Sequence, residues 1–467
     1  MMCYMGKNKD LNLSIAFLAV TDIGAVCLLA LSSYIIDSSI HIKQILVFAA
    51  IAAAAFVIQL YRLKHDFRSD GTALTAFGVI ADALGTRSHA SSYDIRYDYI
   101  RLFAVFAVIF MHCLDAAMPF LSWEITDEVR ETLDSVPRVQ LYSSAILRAF
   151  LYLGNTCFLM LTGALMFGRS TPEGLFNYYK KFILRILLPF IIYFVFYMWQ
   201  NGLFNPLSAD SIREAVNRIK DETLQYDAPF MWLIYVIISI HTAVPFLRYM
   251  FRSMSYRMLS ALTGTVLFGY TLIIHFYYNP DILPFFSSGW IGISFIGYWV
   301  SRPETRRYDK LIWIAGALSF ISMAITVDPY VYWQQYINRY VHFAPMSLFM
   351  ACSIFALALH KKSSHTGRLA PIVTMLSQNS YTILLLHWWS LYHIMVKNIL
   401  KESPTWEKPV SFIFTVLLVI CISFISGFLM DRSVVYVART VVDKLLSSVQ
   451  KLWPSLKKML SPLERFL

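Results

Sequence analysis

Residues Tyr97 to Phe120 read YDYIRLFAVFAVIFMHCLDAAMPF. At about 1.5 Å of rise per residue, this largely apolar segment is long enough as a helix to cross a hydrocarbon core of about 30 Å. Three ionisable residues are set into it, Arg101, His112 and Asp115. A helix turns about 100° per residue, so Arg101 and His112, eleven positions apart, return to nearly the same face. Asp115 falls one turn beyond His112, beside it. Placing a charged side chain at the centre of a span costs roughly 2.5–3.5 kcal/mol on insertion scales, so such residues face a cavity or a partner. A base, an acid and a cation on one stripe of a spanning helix mark a candidate reaction site inside a membrane.

The whole chain agrees with a membrane reading. Of its 467 residues, 57% are hydrophobic and only 15% charged, against about 25% charged in a typical soluble domain; mean hydropathy is +0.55. Aromatic residues make up 16%, and many Trp and Tyr lie near the ends of apolar runs, where amphipathic rings suit the membrane interface. The net charge of +11 is spread between those runs. It therefore reads as loop anchoring at a membrane surface and not as a nucleic-acid face. Six cysteines, Cys3, Cys27, Cys113, Cys157, Cys352 and Cys421, show no paired spacing, and five lie in apolar runs. They read as buried thiols, with neither a disulfide framework nor a metal site. The first apolar run is too long for a cleavable signal and is soon followed by a second.

Apolar runs of spanning length predict an all-α, polytopic membrane helix bundle of about twelve transmembrane helices: ten in a core preceded by two N-terminal spans. Basic connections, such as those holding Arg62, Lys64 and Arg68 or Arg302, Arg306, Arg307 and Lys310, alternate with acidic, mixed or weakly charged ones. Because Lys and Arg are retained on the cytoplasmic side, this alternation places both termini in the cytoplasm. The expected organisation is a two-helix membrane hairpin over 1–62, a cytoplasmic linker over 63–93, a membrane domain over 94–430 and a basic amphipathic tail over 431–467. The tail pattern suits a helix lying on an anionic membrane surface and its lipids; a partner-binding helix is the alternative.

The chemistry-bearing residues have competing structural readings. Arg101 lies close enough to the cytoplasmic end to snorkel. His112 cannot, since about 16 Å of helix separates it from Arg101. An Asp115 carboxylate accepting from one imidazole nitrogen would leave the other free to take a proton, the general-base arrangement. Asp98, one turn before Arg101, is a structural partner for that guanidinium. His387 lies midway along its own span at a similar depth, either packed and satisfied or lining a substrate site. Arg148, toward the outer side, and Trp232 are further lining candidates or packing residues. His241, His275 and His342 have no partner at helical spacing and read as packing or interface residues.

The order of motifs along the chain adds a resemblance. Asp98, Arg101 and His112, spaced D-x-x-R-x10-H, resemble the first core helix of the acyltransferase-3 family of integral membrane acyltransferases. Asn155 to Leu165, with Thr162-Gly163, is similar to that family's Phe-rich stretch ending in Ser-Gly. Tyr179 to Ile186 with Pro189 resembles its basic cytoplasmic helix entry, Phe230 to Tyr235 with Pro245 its Trp-Phe-Leu-Tyr helix, and Asn379 to His387 its late Ser-x-x-x-Tyr-x-x-His segment. The match runs over about 94–430 in the family's order. Thr162 stands for Ser, Leu384 for an aromatic, and Phe182 for Arg, with Lys180 and Lys181 displaced toward the N-terminal side.

The resemblance implies O-acyl transfer, usually of acetyl, from cytoplasmic acetyl-CoA to a hydroxyl of an extracytoplasmic or lipid-linked glycan, in a bacterial inner (cytoplasmic) membrane. On that reading His112 is the candidate base, with an acyl-histidine as a variant; the role of Asp115 in orienting it comes from its spacing in this helix and not from the family. Arg101, Lys180, Lys181 and Arg185 are the candidate contacts for CoA phosphates or the oxyanion. The opposing readings are a glycan or small-anion transporter or flippase with an Arg/His relay, and an assembly protein whose buried polar stripe only fixes helix packing. Both predict no acyl-CoA consumption.

Overall fold

The computed structural model describes residues 15–16, 18–28, 42–69, 94–117, 126–168, 174–200, 231–276, 290–331, 344–360, 370–396 and 409–460, with 210, 213 and 217. After an apolar N-terminal helix, Leu18–Leu28, the helices are α1 (Ile42–Ser69), α2 (Arg96–Ala117), α3 (Asp127–Ser135), α4 (Arg138–Leu151), α5 (Leu153–Met166), α6 (Leu175–Phe182), α7 (Leu188–Gln200) and α8 (Trp232–Ser253). They continue as α9 (Tyr256–Phe276), α10 (Trp290–Ser301), α11 (Asp309–Thr326), α12 (Pro345–His360), α13 (Ala370–Gln378), α14 (Ser380–Leu391), α15 (Pro409–Arg432) and α16 (Val434–Leu460). There is no strand among the described residues, and the protein is an all-α membrane bundle. Six helical stretches there are long and apolar enough to cross a membrane, with shorter apolar helices beside them; His275, His342 and Cys3 fall where side chains or placement lie outside the described residues.

Two compact units divide the chain, one from 1–87, 172–234 and 425–467, the other from 88–171 and 235–424. The hydropathy boundaries were sequential; the units are not, because N-terminal and C-terminal segments share one of them. In that first unit the N-terminal helices meet the chain's end. Gly24 lies where a Cβ would meet the Leu429 side chain at 3.0 Å, and Gln59 Nε2 donates to the Arg432 carbonyl. The expected linker begins later than 63, since α1 continues to Ser69. The basic tail is the amphipathic helix α16, and it packs on α6 and α7. Lys180 is ion-paired with Asp443 at 2.8 Å and donates to Ser447 at 2.9 Å, while Arg439 Nε donates to the Leu184 carbonyl at 3.0 Å.

Local sequence explains the irregular places. Between α6 and α7 the chain makes a π turn, Ile183–Leu187, just before Pro189, which has no N–H to continue the ladder. Pro245 sits inside α8 and likewise has no N–H to continue the ladder. Asn379 separates α13 from α14 by turning its Nδ2 onto the Met375 carbonyl at 2.7 Å, a local bond that competes with the helix ladder. The apolar stretch from Ala370 to Leu391 is therefore two helices.

In the second unit α2 is central, packing against α4, α5, α12, α13 and α14. Its N-terminal end seats Ile95 and Leu102 against Val373 of α13. The helices approach through small residues, the rule where lipid removes any hydrophobic drive between helices. A Cβ on Gly154 would lie 2.7 Å from the Ala104 carbonyl oxygen, one on Gly163 1.8 Å from that of Ser294, and one on Gly297 2.1 Å from that of Met160. Ser294 Oγ adds a hydrogen bond to the Leu159 carbonyl at 2.9 Å, closing the α5–α10 crossing.

Candidate active site

His112 meets His387 in the second unit. Their rings stack with centroids 5.3 Å apart and planes at 28°, and Trp388 stands edge-on to His112 at 5.5 Å. The helix rule that brings His112 inward also lets α14 present His387, which is 1% exposed. His387 Nδ1 lies 2.5 Å from the Leu384 carbonyl. A carbonyl only accepts, so Nδ1 carries the hydrogen and Nε2 presents its lone pair. That Nε2 is buried with no hydrogen-bond partner among the described residues, and so are Ser390 Oγ, one turn further along α14, and Thr156 Oγ1 on α5. Native interiors leave few polar atoms so placed. His112 is half-buried and makes no hydrogen bond among the described residues, which leaves its ring reachable.

Asp115 does not orient His112. Its carboxylate instead takes the hydrogen bond of Arg148 Nε, an ion pair across α2 and α4. Charge explains the preference: a guanidinium buried to 2% exposure requires an anion, and a carboxylate next to it gains more there than on a neutral imidazole. Arg148 Nη2 also donates to Tyr152 Oη at 3.2 Å, and the guanidinium lies 5.2 Å from that ring's centroid. Arg148 is thus a fixed, buried charge paired with Asp115, one turn beyond His112. Replacing Arg148 with Ala should cost about 3–5 kcal/mol of stability by leaving Asp115 without its counter-ion. Adding Asp115→Asn should recover much of that loss, which thermal unfolding of the purified single and double variants would measure.

Arg101 is held at the other end of α2. Its Nη1 donates to Ser377 Oγ at 3.0 Å and to Asp98 at 3.4 Å, and Ser377 Oγ donates to Asp98 at 2.6 Å. The Asp98–Arg101 pairing expected from spacing is present, with Ser377 added from α13. Asp98 is buried while Arg101 is 27% exposed on its side chain, so the guanidinium is held through Nη1 and remains partly open.

Of the remaining candidates, Lys180, Lys181, Arg185 and Trp232 lie in the first unit and His241 in the second. Lys180 is occupied by Asp443 and Ser447, so its expected role at a CoA phosphate gives way to holding α16. Lys181 and Arg185 are exposed, Arg185 within the π turn. Trp232 is half-buried at the start of α8. His241 is buried and donates from Nδ1 to the Ile237 carbonyl at 2.8 Å, a satisfied packing histidine. Sequence reading missed Ser377, Trp388 and Ser390. The neighbours of His387 in His-Trp-Trp-Ser and the Ser-Gln-Asn-Ser run before it were the available signals, but only the fold shows that Ser377 and Trp388 reach α2.

These helices, with two imidazoles stacked between α2 and α14, define an integral membrane helix bundle. Residues 94–428 match the acyltransferase-3 family, described as an acyltransferase domain, and the chain belongs to that family. It is a membrane acyltransferase. Comparison with curated proteins yields no match, and comparison with solved structures yields none.

Proposed function

We propose that the protein transfers an acetyl group from cytoplasmic acetyl-CoA to a hydroxyl of an extracytoplasmic or lipid-linked glycan, with both termini in the cytoplasm of a bacterial inner membrane. The His112–His387 stack carries this reading: a reachable imidazole, backed by a second whose tautomer is fixed, at mid-depth of the family's defining helix. Orientation is supported by the alternation of basic connections.

A glycan hydroxyl is a weak nucleophile until its proton is removed as the new bond forms. His112 takes that proton while the hydroxyl oxygen attacks the thioester carbonyl carbon. The C–S bond then breaks, and His112 returns the proton to the departing sulfur, leaving CoA thiol and an O-acyl ester. His387 positions His112 through the ring stack. Arg101, about 16 Å along the helix toward the cytoplasm, is suited to the phosphates of a donor whose thioester arm reaches inward. The Asp115–Arg148 pair lies on the outward side of His112, where the acceptor enters.

The test uses purified protein in nanodiscs, acetyl-CoA labelled in the acetyl group, and a polyprenyl-linked or polymeric glycan extract. Mass spectrometry should find the label on the glycan as a base-labile ester. CoA release without label on any glycan would move the acceptor to another class of hydroxyl. Absence of both turnover and CoA binding would overturn the reading in favour of a transporter.

A further inference from the structure

Outside the histidine site, the second unit contains an apolar groove of about 350 Å³ between α9, α10, α11 and α12, lined by Leu267, Trp299, Leu311, Ile312, Ala315 and Phe349. Its depth can be read along the helices. Ser260 at its mouth is four residues into α9, and Leu267 is seven further; Tyr308 and Ala315 are likewise seven apart. At about 1.5 Å per residue the groove runs roughly 10 Å or more from the basic helix ends, comparable to half of a hydrocarbon core of about 30 Å. Its walls therefore offer an apolar slot about one leaflet deep.

The mouth has the opposite character. Trp299 Nε1 donates to Ser260 Oγ at 3.0 Å, and the Trp299 ring stacks on Tyr308 at 6.4 Å, the aromatic pair expected at an interface. Arg307 lies over Tyr308 and Tyr256, 4.8 and 5.3 Å from their centroids. Arg306, Arg307 and Lys310 are all exposed, and none is ion-paired among the described residues. Nearby acids are already engaged, Glu304 by Arg302 and Asp309 by His360. Arg307 thus stands over the Tyr308 edge of a slot of acyl-chain character, with Arg306 and Lys310 exposed in the same short segment, a combination that fits a molecule with an anionic phosphate and a hydrocarbon chain.

We propose that this groove is a specific site for an anionic glycerophospholipid of the cytoplasmic leaflet. One acyl chain lies in the groove, and the phosphate sits on Arg306, Arg307 and Lys310. The leaflet assignment rests on the orientation proposed above; the site itself does not depend on the acyl-transfer chemistry. A basic crown over an aliphatic slot selects phosphatidylglycerol over phosphatidylcholine, whose headgroup brings its own cation.

The experiment is native mass spectrometry of the full-length protein released from nanodiscs of equal phosphatidylglycerol and phosphatidylcholine. One tightly retained phosphatidylglycerol is expected. Neutralising three cations with Arg306→Gln, Arg307→Gln and Lys310→Gln should weaken its retention roughly 100-fold. Filling the slot with Ala315→Phe should also reduce retention while leaving the crown intact. Equal retention of both lipids, or retention unchanged in either variant, would overturn the proposal. So would displacement of the lipid by an equimolar long-chain acyl-CoA, which would give the groove to an acyl donor. Maleimide labelling of Arg306→Cys in sealed vesicles reads the leaflet separately, so an inverted orientation would be told apart from a missing site.

Discussion

Replacement of His112 by alanine is expected to lower the turnover of acyl transfer by about 10²–10⁴-fold, the range that a positioned general base contributes. The loss should appear in kcat more than in KM, because the ring works on a proton that moves only as the ester forms. Folding should be little affected, since His112 makes no hydrogen bond among the described residues and contributes chiefly its ring contacts with His387 and Trp388. A melting curve close to that of the wild type, alongside lost turnover, is the expected pair of results. His387→Ala should also slow transfer, by a smaller factor. Its Nδ1 is tied to Leu384 and its ring is sealed from the surroundings, so its influence passes through the orientation of His112.

The second large effect concerns folding. Gly297→Val or Gly163→Val should prevent the second unit from assembling. The added Cβ would lie 2.1 Å from the Met160 carbonyl oxygen in the first case and 1.8 Å from that of Ser294 in the second. The obstacle at each is main chain, which cannot swing aside as a side chain can. Overpacking a core typically costs about 1–3 kcal/mol, and separating two helix backbones exceeds that range, a large share of the roughly 5–15 kcal/mol that a native protein has in hand. Even Gly297→Ala, at about 3 kcal/mol, should lower the apparent melting temperature by roughly 6–12 °C. Gly264→Ala is the control. Nothing lies within 4 Å of a Cβ there, so in helix α9 the change should be neutral or stabilising by about 0.5–1 kcal/mol. If the Gly297 and Gly264 variants melted alike, the close α5–α10 crossing would be wrong.

Much of this was legible before the fold. Apolar length and the spread of basic loops gave an all-α membrane bundle, and the eleven-residue step from Arg101 to His112 marked the helix that proves central to its unit. Spacing within one helix also foresaw Asp98 beside Arg101. What spacing within a helix cannot foresee is a better partner on another helix. Asp115 is one turn from His112, yet a buried guanidinium from α4 takes its carboxylate. Lys180 likewise belongs to Asp443, more than two hundred residues later. His387 was visible only as a mid-span histidine, and its contact with His112 requires α14 to pack on α2. The shared unit of the two chain ends was hidden for the same reason, because hydropathy orders spans along the chain and carries no information on which ones touch.

The most direct test is the rate of labelled acetyl transfer for four folded proteins: wild type, His112→Ala, His387→Ala and the double variant. If the stacked histidines act as one unit, the double variant should be no slower than His112→Ala alone, because residues that share a step are not additive. Independent losses that multiply in the double variant, or a His112→Ala protein that transfers acetyl at the wild-type rate, would contradict the account.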